Sequence, residues 1–259
     1  MSLDLVNVSY SYDSKTSYEK QALKDVSLSI PTGSFVGITG NSGSGKTTLV
    51  RLLKGLIKPT SGKISGIESS KVGLVFQYPE LQLFEDTVLK DVMFGPLNIG
   101  MGEKEARKQA CQALSEMGLD EPFYGRDPLK LSGGEQRRVA ISGILAMNPD
   151  VLVLDEPTAG LDNQMHDQLF AVLQNLNAQG KTIILVSHNL DDVATYCKQV
   201  VVLKMGRVAA FGTPSEVFYG SECGASLPTM VQLAKKLGLE GVCTLDEVET
   251  ALLKKCKNF

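Results

Sequence analysis

A glycine-rich stretch near the start of the chain combines residue types that bind phosphate. It has the spacing G-x-x-x-x-G-K-T and ends in Lys46 and two threonines. Glycines here let successive backbone N–H groups face one concavity at a helix N-terminus, which favours a polyanion. Lys46 is expected to reach the terminal phosphates of a nucleotide, and the Thr47 hydroxyl is expected to ligate Mg²⁺. The predicted binding residues are Gly40, Asn41, Ser42, Gly43, Ser44, Gly45, Lys46, Thr47 and Thr48.

The sequence on either side distinguishes a phosphate-binding loop from a flexible Gly/Ser linker. Apolar residues 35–38 precede the stretch and indicate a strand, and residues 49–53 are mostly apolar at helical spacing. A strand, a glycine-rich turn and a helix form the context that the motif requires. We therefore predict a P-loop.

Two adjacent carboxylates follow a second apolar run. Residues 151–154 indicate a central parallel strand, and Asp155 and Glu156 come at its carboxyl end, where ligands sit in open α/β sheets. Asp155 can hold Mg²⁺ through water, and Glu156 can polarise an attacking water. Together with a P-loop, this pair predicts hydrolysis of the bound polyphosphate.

Three further side chains are candidates for ligand contact. Gln77 follows the apolar run 72–76, and His188 closely follows the run 182–186, so both come at carboxyl ends of predicted core strands. An isolated Gln indicates little, whereas a His at the end of a core strand on the ligand side favours a functional role. Tyr12 could stack on an adenine, but by pattern alone a Tyr packed within a sheet is favoured.

A serine, two glycines and a glutamate open a later helix. Ser132 and Glu135 have the spacing of a capping box, which alone could explain both residues. A capping box does not explain the consecutive glycines between them, Gly133 and Gly134. We therefore treat all four residues as candidates for a site.

The remaining pattern predicts an α/β fold with additional subdomains. Residues 3–30 mostly alternate with a period of two and predict antiparallel strands, while a span of about 84–147 carries helical signals. We expect a P-loop NTPase with a RecA-like core, an antiparallel β subdomain and a helical signature subdomain, all within residues 1–217.

Capping-box spacing at residues 213–216 and again at 244–247, with apolar residues at helical period between them, predicts helices near the C-terminus. We expect residues 218–259 to form a small helical appendix, and its expected role is packing or subunit contact.

Composition and charge argue against several classes of protein. Hydrophobic residues make up 43% and charged residues 21% of the chain, which is ordinary for a globular protein. A net charge of −3 argues against a dedicated nucleic-acid binder, so no nucleic acid is expected as a partner. No apolar run is long enough for a membrane span and no secretory signal is visible, so a cytosolic protein is expected. The five cysteines lack C-x-x-C spacing, so we expect reduced thiols and no zinc site.

The order of these motifs resembles that in ATP-binding subunits of ABC transporters. The resemblance covers roughly residues 3–215. It rests on the P-loop, Gln77, Leu-Ser-Gly-Gly-Glu at 131–135, the Asp-Glu pair at 155–156, Ala-Gly-Leu-Asp at 159–162, and His188. It implies an ATPase fold and activity, with ATP and Mg²⁺ as cofactors.

The resemblance implies a role for each matched residue of the chain's own nucleotide site. Tyr12 would stack on the adenine, and Gln77 would be a ligand of Mg²⁺ and water. Glu156 would be the catalytic base, with Lys46 and His188 acting on the γ-phosphate.

Other matched residues imply a dimer. The signature, Ser132 to Glu135, would close over a nucleotide bound by the P-loop of another chain, and Asp162 would be the D-loop carboxylate. Two positions depart from the common pattern, since Glu135 stands where many signatures have Gln, and Asn163 follows Asp162 where Pro is common.

Within this family, the chain resembles the energy-coupling factor (ECF) ATPases at residues 76–84 and 87–98. At residues 137–147 it is more similar to the A2-type than to the A1-type subunit. This implies uptake of a vitamin or metal ion, with the chain peripheral at the cytoplasmic face of the cell membrane. The implied partners are an A1-type ATPase, an integral-membrane T-type scaffold and a substrate-specific S component. A dedicated cobalt/nickel ECF system, a non-transport ABC ATPase and a nucleotide-binding regulator are alternatives.

The segment after Gln77 suggests a docking surface for the membrane partner. It combines apolar side chains with acidic residues around them, which could bind basic helices of that partner. Ordinary core residues beside solvent-exposed acidic residues would give the same pattern. The residues of this predicted groove are Leu81, Leu83, Phe84, Glu80, Glu85 and Asp86.

Overall fold

The computed structural model describes residues 2–12, 20–220 and 227–257, with side chains to residue 255. The chain forms two compact units, one of Met1–Ile67 with Ile183–Phe259 and the other of Glu68–Thr182. The strands are β1 (Ser2–Tyr12), β2 (Lys20–Pro31), β3 (Phe35–Thr39), β4 (Ser61–Ser65), β5 (Val72–Val75), β6 (Val151–Asp155), β7 (Thr182–Val186), β8 (Gln199–Lys204) and β9 (Arg207–Gly212).

The helices alternate with these strands along most of the chain. They are α1 (Lys46–Leu53), α2 (Val88–Asn98), α3 (Glu103–Glu116), α4 (Gly133–Leu145), α5 (Asn163–Ala178), α6 (Leu190–Tyr196), α7 (Pro214–Tyr219), α8 (Thr229–Lys236) and α9 (Leu245–Lys257). None of the helices in the described part of the chain has the length and hydropathy of a transmembrane segment.

The first unit contains the predicted antiparallel strands. β1 pairs antiparallel with β2 and β4, and Leu5 lies opposite Leu28 in one pairing and Ile64 in the other. Val26, Leu28 and Ile30 are buried while the residues between them are exposed, which confirms the two-residue alternation. The turn expected between β1 and β2 falls partly on residues 13–19, outside the described residues.

The first unit also contains parallel strands that hold the P-loop. β3 pairs in parallel with β7 and with β8, and β9 adds antiparallel to β8. All five residues of β3 and all five of β7 are buried. Strands covered on both faces show continuous apolar runs rather than alternation, which is why these segments are uniformly hydrophobic.

The second unit contains a parallel pair and the helices of the predicted helical subdomain. β5 and β6 pair in parallel, and seven of their nine residues are Val or Leu. In α3, Ala106, Ala110 and Ala113 are buried, which gives one apolar face at the spacing of a helix. Gly118 follows this helix with φ 69°, as the predicted helix stop requires.

The boundary expected for the C-terminal appendix falls within a helix. The expected division between residues 217 and 218 lies inside α7, where Val217 and Phe218 are both buried. Thr213 and Glu216 form the predicted capping box at the start of α7. Helices α8 and α9 then follow within the first unit, as the capping and periodicity signals predicted.

Candidate functional site

The P-loop connects β3 to α1 and has the backbone that its glycines require. Gly40, Gly43 and Gly45 have φ of 144°, 75° and 107°. A Cβ atom at Gly45 would lie 2.7 Å from the carbonyl oxygen of Ala22, so both conformation and space require glycine there. The loop therefore has the backbone conformation of an anion-binding turn at the N-terminus of α1.

A neighbouring hairpin turn holds the loop in place. The N–H of Gly206 donates to the carbonyl oxygen of Ser44 at 3.0 Å, and the N–H of Lys24 donates to the carbonyl oxygen of Gly206 at 2.8 Å. The Ser44 side chain is 4% exposed, and its Oγ has no hydrogen-bond partner among the described residues. A buried hydroxyl in this position fits a phosphate oxygen as its partner.

The side chain of Lys46 lies over the loop. It is 7% exposed, and its Nζ donates to the carbonyl oxygens of Gly40 and Asn41 at 2.7 and 3.2 Å. Thr47, the predicted Mg²⁺ ligand, is exposed. The ammonium group, exposed hydroxyl and glycine N–H groups form a donor set that suits the phosphates of a nucleotide with its Mg²⁺.

Tyr12 lies beside the helix that follows the P-loop. Its hydroxyl is 3.1 Å from Oγ1 of Thr48, a buried residue of α1, and its ring packs edge-on against Tyr10 with centroids 4.9 Å apart. Tyr12 itself is only half-buried. The packing that sequence pattern favoured for this tyrosine is therefore present, and part of the side chain remains open to a ligand.

Strand register places His188 at the same edge of the sheet as the P-loop. Ile38 of β3 pairs with Val186 of β7, so Gly40 and His188 each lie two residues beyond the paired positions. His188 is exposed. The next residue, Asn189, caps α6 by accepting from two backbone N–H groups.

A corresponding register exists in the second unit. Val75 of β5 pairs with Leu154 of β6, so Gln77 and Glu156 each lie two residues beyond the paired positions. Gln77 is exposed, and Asp155 is half-buried at the end of β6. The structure therefore brings the predicted amide and carboxylates together at one strand edge.

The backbone of Glu156 has an unusual conformation for a residue with a side chain. Its φ is 52°, in the left-handed region that costs a non-glycine residue free energy. Such conformations cluster at functional sites, because surrounding contacts must hold them. The carbonyl oxygen of Glu156 accepts a hydrogen bond of 3.3 Å from the N–H of Ala159, which stabilises the turn after β6.

The candidate signature is the N-terminus of α4. The Ser132 N–H and Oγ donate to one carboxylate oxygen of Glu135 at 2.8 and 2.7 Å, and the Glu135 N–H donates back to Oγ at 3.4 Å. This is the capping box that the sequence predicted. The two hydrogen bonds from Ser132 hold the pKa of the Glu135 carboxyl below its usual range.

The two signature glycines have different surroundings. A Cβ atom at Gly134 would collide with the terminal atoms of Met165 in α5. Glycine at this position therefore makes room for the Met165 side chain of the same chain. A Cβ atom at Gly133 would meet no atom of the described residues within 4 Å, and its φ is not positive. Among the described residues, therefore, neither space nor backbone conformation requires glycine at position 133.

The predicted D-loop carboxylate caps the next helix. Oδ1 of Asp162 accepts a hydrogen bond of 2.8 Å from the N–H of Met165 at the start of α5. This contact explains an acidic residue at position 162 by helix capping alone. A role of Asp162 toward nucleotide stays a prediction.

The structure identifies a buried arginine that the motif analysis missed. Arg137 in α4 is 5% exposed, and its guanidinium donates to the carbonyl oxygens of Gln77 and Ala159, both at 2.6 Å. Its Nε also lies 3.3 Å from a carboxylate oxygen of Glu80. The signal was present in the sequence, because Arg137 stands four residues before Ile141 on the buried face of the helix.

The predicted groove after Gln77 is partly wrong. Leu81 and Phe84 are 82% and 58% exposed, as a docking surface requires, but Leu83 is 7% exposed and packs inward. Glu80 pairs with Arg137 and does not form part of a free acidic rim. Phe84 instead packs edge-on against Phe94, which is itself exposed, with ring centroids 4.8 Å apart.

Comparisons with known proteins show the family of the chain. The family model described as ABC transporter matches residues 23–159, which is more than half of the chain. The chain is 42% identical to the ECF transporter ATP-binding protein EcfA2 of Caldanaerobacter subterraneus subsp. tengcongensis, over 98% of this chain and 97% of that protein. It is 44% identical to EcfA2 of Streptococcus thermophilus strain LMD-9, over 93% of each.

Solved structures show the same similarity. CbiO1 from Clostridium perfringens, described as part of the ABC transporter complex cbiONQ, matches with a TM-score of 0.75 and 36% identity, over 90% of this chain and 98% of that one. The ATP-binding cassette MJ0796, described as a dimer in a post-hydrolysis state with ADP and Pi, matches with a TM-score of 0.72 and 33% identity, over 82% and 98%. These likenesses confirm the predicted P-loop α/β fold.

Proposed function

Because the chain belongs to the ATP-binding subunits of ABC transporters, and among them to the ECF type, we propose how its residues bind and hydrolyse ATP. The chain is an ATPase subunit that powers transport. The observation that carries the proposal is the P-loop, where positive-φ glycines, the buried Ser44 hydroxyl and Lys46 surround one anion-binding turn.

Within the P-loop, each group has one task toward the nucleotide. The loop N–H groups and the Ser44 hydroxyl bind phosphate oxygens, and Lys46 exchanges its carbonyl partners for the β- and γ-phosphates. Tyr12 stacks on the adenine through the part of its ring that is open. Thr47 supplies a hydroxyl ligand for Mg²⁺, and the bound ion supplies neutralisation of phosphate charge.

Four further residues act on the attacking water, the metal and the transferred phosphate. Glu156 orients the water and accepts its proton, and the strained backbone of this residue fixes where the carboxylate points. Gln77 and Asp155 would offer oxygen ligands to Mg²⁺, directly or through water. His188 donates to the γ-phosphate, where negative charge must be stabilised during transfer.

The signature acts on a nucleotide bound by a second ATPase chain. No described residue occupies the space beside Gly133, and a γ-phosphate bound by the partner chain would need that space to approach the N-terminus of α4. The dimeric state described for the similar cassette MJ0796 supports this arrangement. Because the relatives reported above are EcfA2 proteins, we propose an A1-type subunit as the dimer partner.

The chain joins the membrane through a patch made of Leu81, Phe84 and Phe94. These side chains are 82%, 58% and 42% exposed, and Asp86 beside them is also exposed. An amphipathic helix of a T-type scaffold, with apolar and basic residues, fits such a surface. The chain is then a peripheral protein at the cytoplasmic face of the membrane, and an S component selects the vitamin or metal ion.

The C-terminal helices provide a second surface for subunit contact. Leu233 and Leu237, at the end of α8, are 40% and 39% exposed, and Leu245 and Leu253 of α9 are 63% and 57% exposed. Several exposed leucines on two short helices favour burial against another subunit.

ATP hydrolysis by the purified transporter complex tests this function. Lys46→Ala is expected to remove both ATP binding and hydrolysis, because no other ammonium group lies over the loop carbonyls among the described residues. Lys58→Ala is the matched control, since this exposed lysine follows the same helix. Hydrolysis that survives Lys46→Ala would contradict the proposal.

A further inference from the structure

Arg137 joins three segments of the second unit through a single side chain. It stands in α4, five residues after Ser132, and is 5% exposed. One terminal nitrogen donates to the Gln77 carbonyl and the other to the Ala159 carbonyl, both at 2.6 Å. The Nε edge faces the Glu80 carboxylate at 3.3 Å. The segments after β5 and after β6 are thus tied to the signature helix.

The geometry of these contacts requires a guanidinium. Its two terminal nitrogens lie in one plane and point in fixed directions, so each can donate to a different carbonyl oxygen while the Glu80 carboxylate lies beside the group as its counter-ion. A lysine carries the same charge on a single nitrogen and cannot meet the two carbonyl oxygens from two separate nitrogens. A charge buried to this extent is retained only where such partners compensate it.

The contacts extend toward the residues that carry the chemistry. The carbonyl held at Gln77 belongs to the residue whose side chain is proposed as a ligand of Mg²⁺ and water. The N–H of Ala159 donates to the carbonyl oxygen of Glu156, so the residue whose carbonyl Arg137 holds also bonds to the backbone of the proposed base. The same loop ends at Asp162, which caps α5.

We propose that Arg137 is a positioning residue that couples the two nucleotide sites of the ATPase dimer. The inference rests on the proposed function, in which Gln77 and Glu156 act on the chain's own ATP and Ser132 acts on the partner's. Arg137 joins the backbone segments of Gln77 and Glu156 to α4, the helix that Ser132 caps. A shift of the Gln77 or Ala159 loop on nucleotide binding therefore moves the signature helix, and the other site responds.

A conservative substitution separates this role from a purely structural one. Arg137→Lys keeps the charge and removes the planar guanidinium. Arg138→Lys makes the identical change at the next position, whose guanidinium donates instead to the carbonyl oxygen of Met117, the residue that follows α3. ATPase rates of the purified complex are measured over a range of ATP concentrations. The temperature is kept about 15 °C below the melting temperature of each variant, so that all remain folded.

The expected result is a fall in kcat for Arg137→Lys of about tenfold or more, since misplacement of reacting groups by fractions of an ångström costs rate rather than affinity. The KM for ATP should stay within about twofold, and the Hill coefficient should fall toward one. Arg138→Lys should keep both parameters.

Three results would overturn the proposal. They are an unchanged kcat and Hill coefficient in Arg137→Lys, an equal loss in Arg138→Lys, or a rate that falls only in proportion to the folded fraction. If Arg137→Lys fails to fold, Glu80→Ala decides instead, because it removes only the carboxylate 3.3 Å from Nε and leaves both hydrogen bonds to the carbonyl oxygens possible. It should lower the Hill coefficient while KM stays constant, and an unchanged Hill coefficient would overturn the proposal. Failure of the proposed function itself would appear separately, as absence of hydrolysis in the unmodified complex.

Discussion

Replacement of the two signature glycines by alanine should separate folding from catalysis. At Gly133 a methyl group meets no described atom within 4 Å, and the residue is the first of α4. Alanine in a helix is favoured over glycine by about 0.5–1 kcal/mol, so Gly133→Ala should leave the melting temperature unchanged or raise it slightly. At Gly134 the methyl group meets Met165, so Gly134→Ala should cost about 1–3 kcal/mol of stability unless the methionine moves aside.

The two variants should rank in the opposite order for ATPase activity, with the larger loss in Gly133→Ala. A phosphate oxygen bonded to backbone N–H groups at about 2.7–3.1 Å leaves no room for a methyl group at position 133. Loss of such a donor site costs roughly 100-fold in kcat, so Gly133→Ala should abolish most ATPase activity of the assembled complex.

The assay is thermal unfolding of the isolated chain together with ATPase rates of the complex. The double variant Gly134→Ala with Met165→Ala is the control, because it removes the collision and should recover stability. Full activity in Gly133→Ala would refute the reasoning, as would a loss of stability as large as that of Gly134→Ala.

Three other predictions follow from single contacts. Tyr12→Phe removes the hydroxyl near Thr48 but keeps the ring, so the Kd for ATP should stay within about twofold. Tyr12→Ala should raise the Kd about tenfold, because the ring that stacks on the adenine is lost. Equilibrium binding of a fluorescent ATP analogue measures both Kd values. The capping hydrogen bonds lower the pKa of Glu135 and Glu216 from the usual 4.5. Both carboxylates therefore stabilise the fold above that pH, and this stabilisation is lost as the pH falls through their folded pKa values. Melting temperatures measured between pH 7 and pH 3 should fall less steeply in the Glu135→Gln and Glu216→Gln variants. Burial raises the pKa of the Cys197 thiol, so an alkylating reagent near pH 8 should modify it only after unfolding, as mass spectrometry of native and denatured protein would show.

The sequence predicted the elements that depend on local chemistry. The P-loop required positive φ at its glycines, and Gly40 and Gly45 have it. The capping boxes at α4 and α7 formed because Ser or Thr and a Glu three residues later satisfy each other's hydrogen bonds within one turn. Such features need no information about distant parts of the chain.

Features that depend on distant packing could not be predicted in the same way. Leu83 directly follows the 3₁₀ turn at Pro79–Gln82 and is buried, whereas Leu81 within the turn and Phe84 after it are exposed. The pairing of Glu80 with Arg137 joins positions far apart in the sequence. The strand register that places His188 level with Gly40 likewise depends on which strands pair, which alternation and apolar runs do not specify.

The most direct test of the account is the ATPase rate of the complex in which Glu156 is replaced by Gln. The substitution keeps the size of the side chain and removes the group that accepts the proton from water. The account predicts that ATP binds to the variant with unchanged affinity and that hydrolysis slows by about 100-fold or more. Hydrolysis at the rate of the unmodified complex would contradict it.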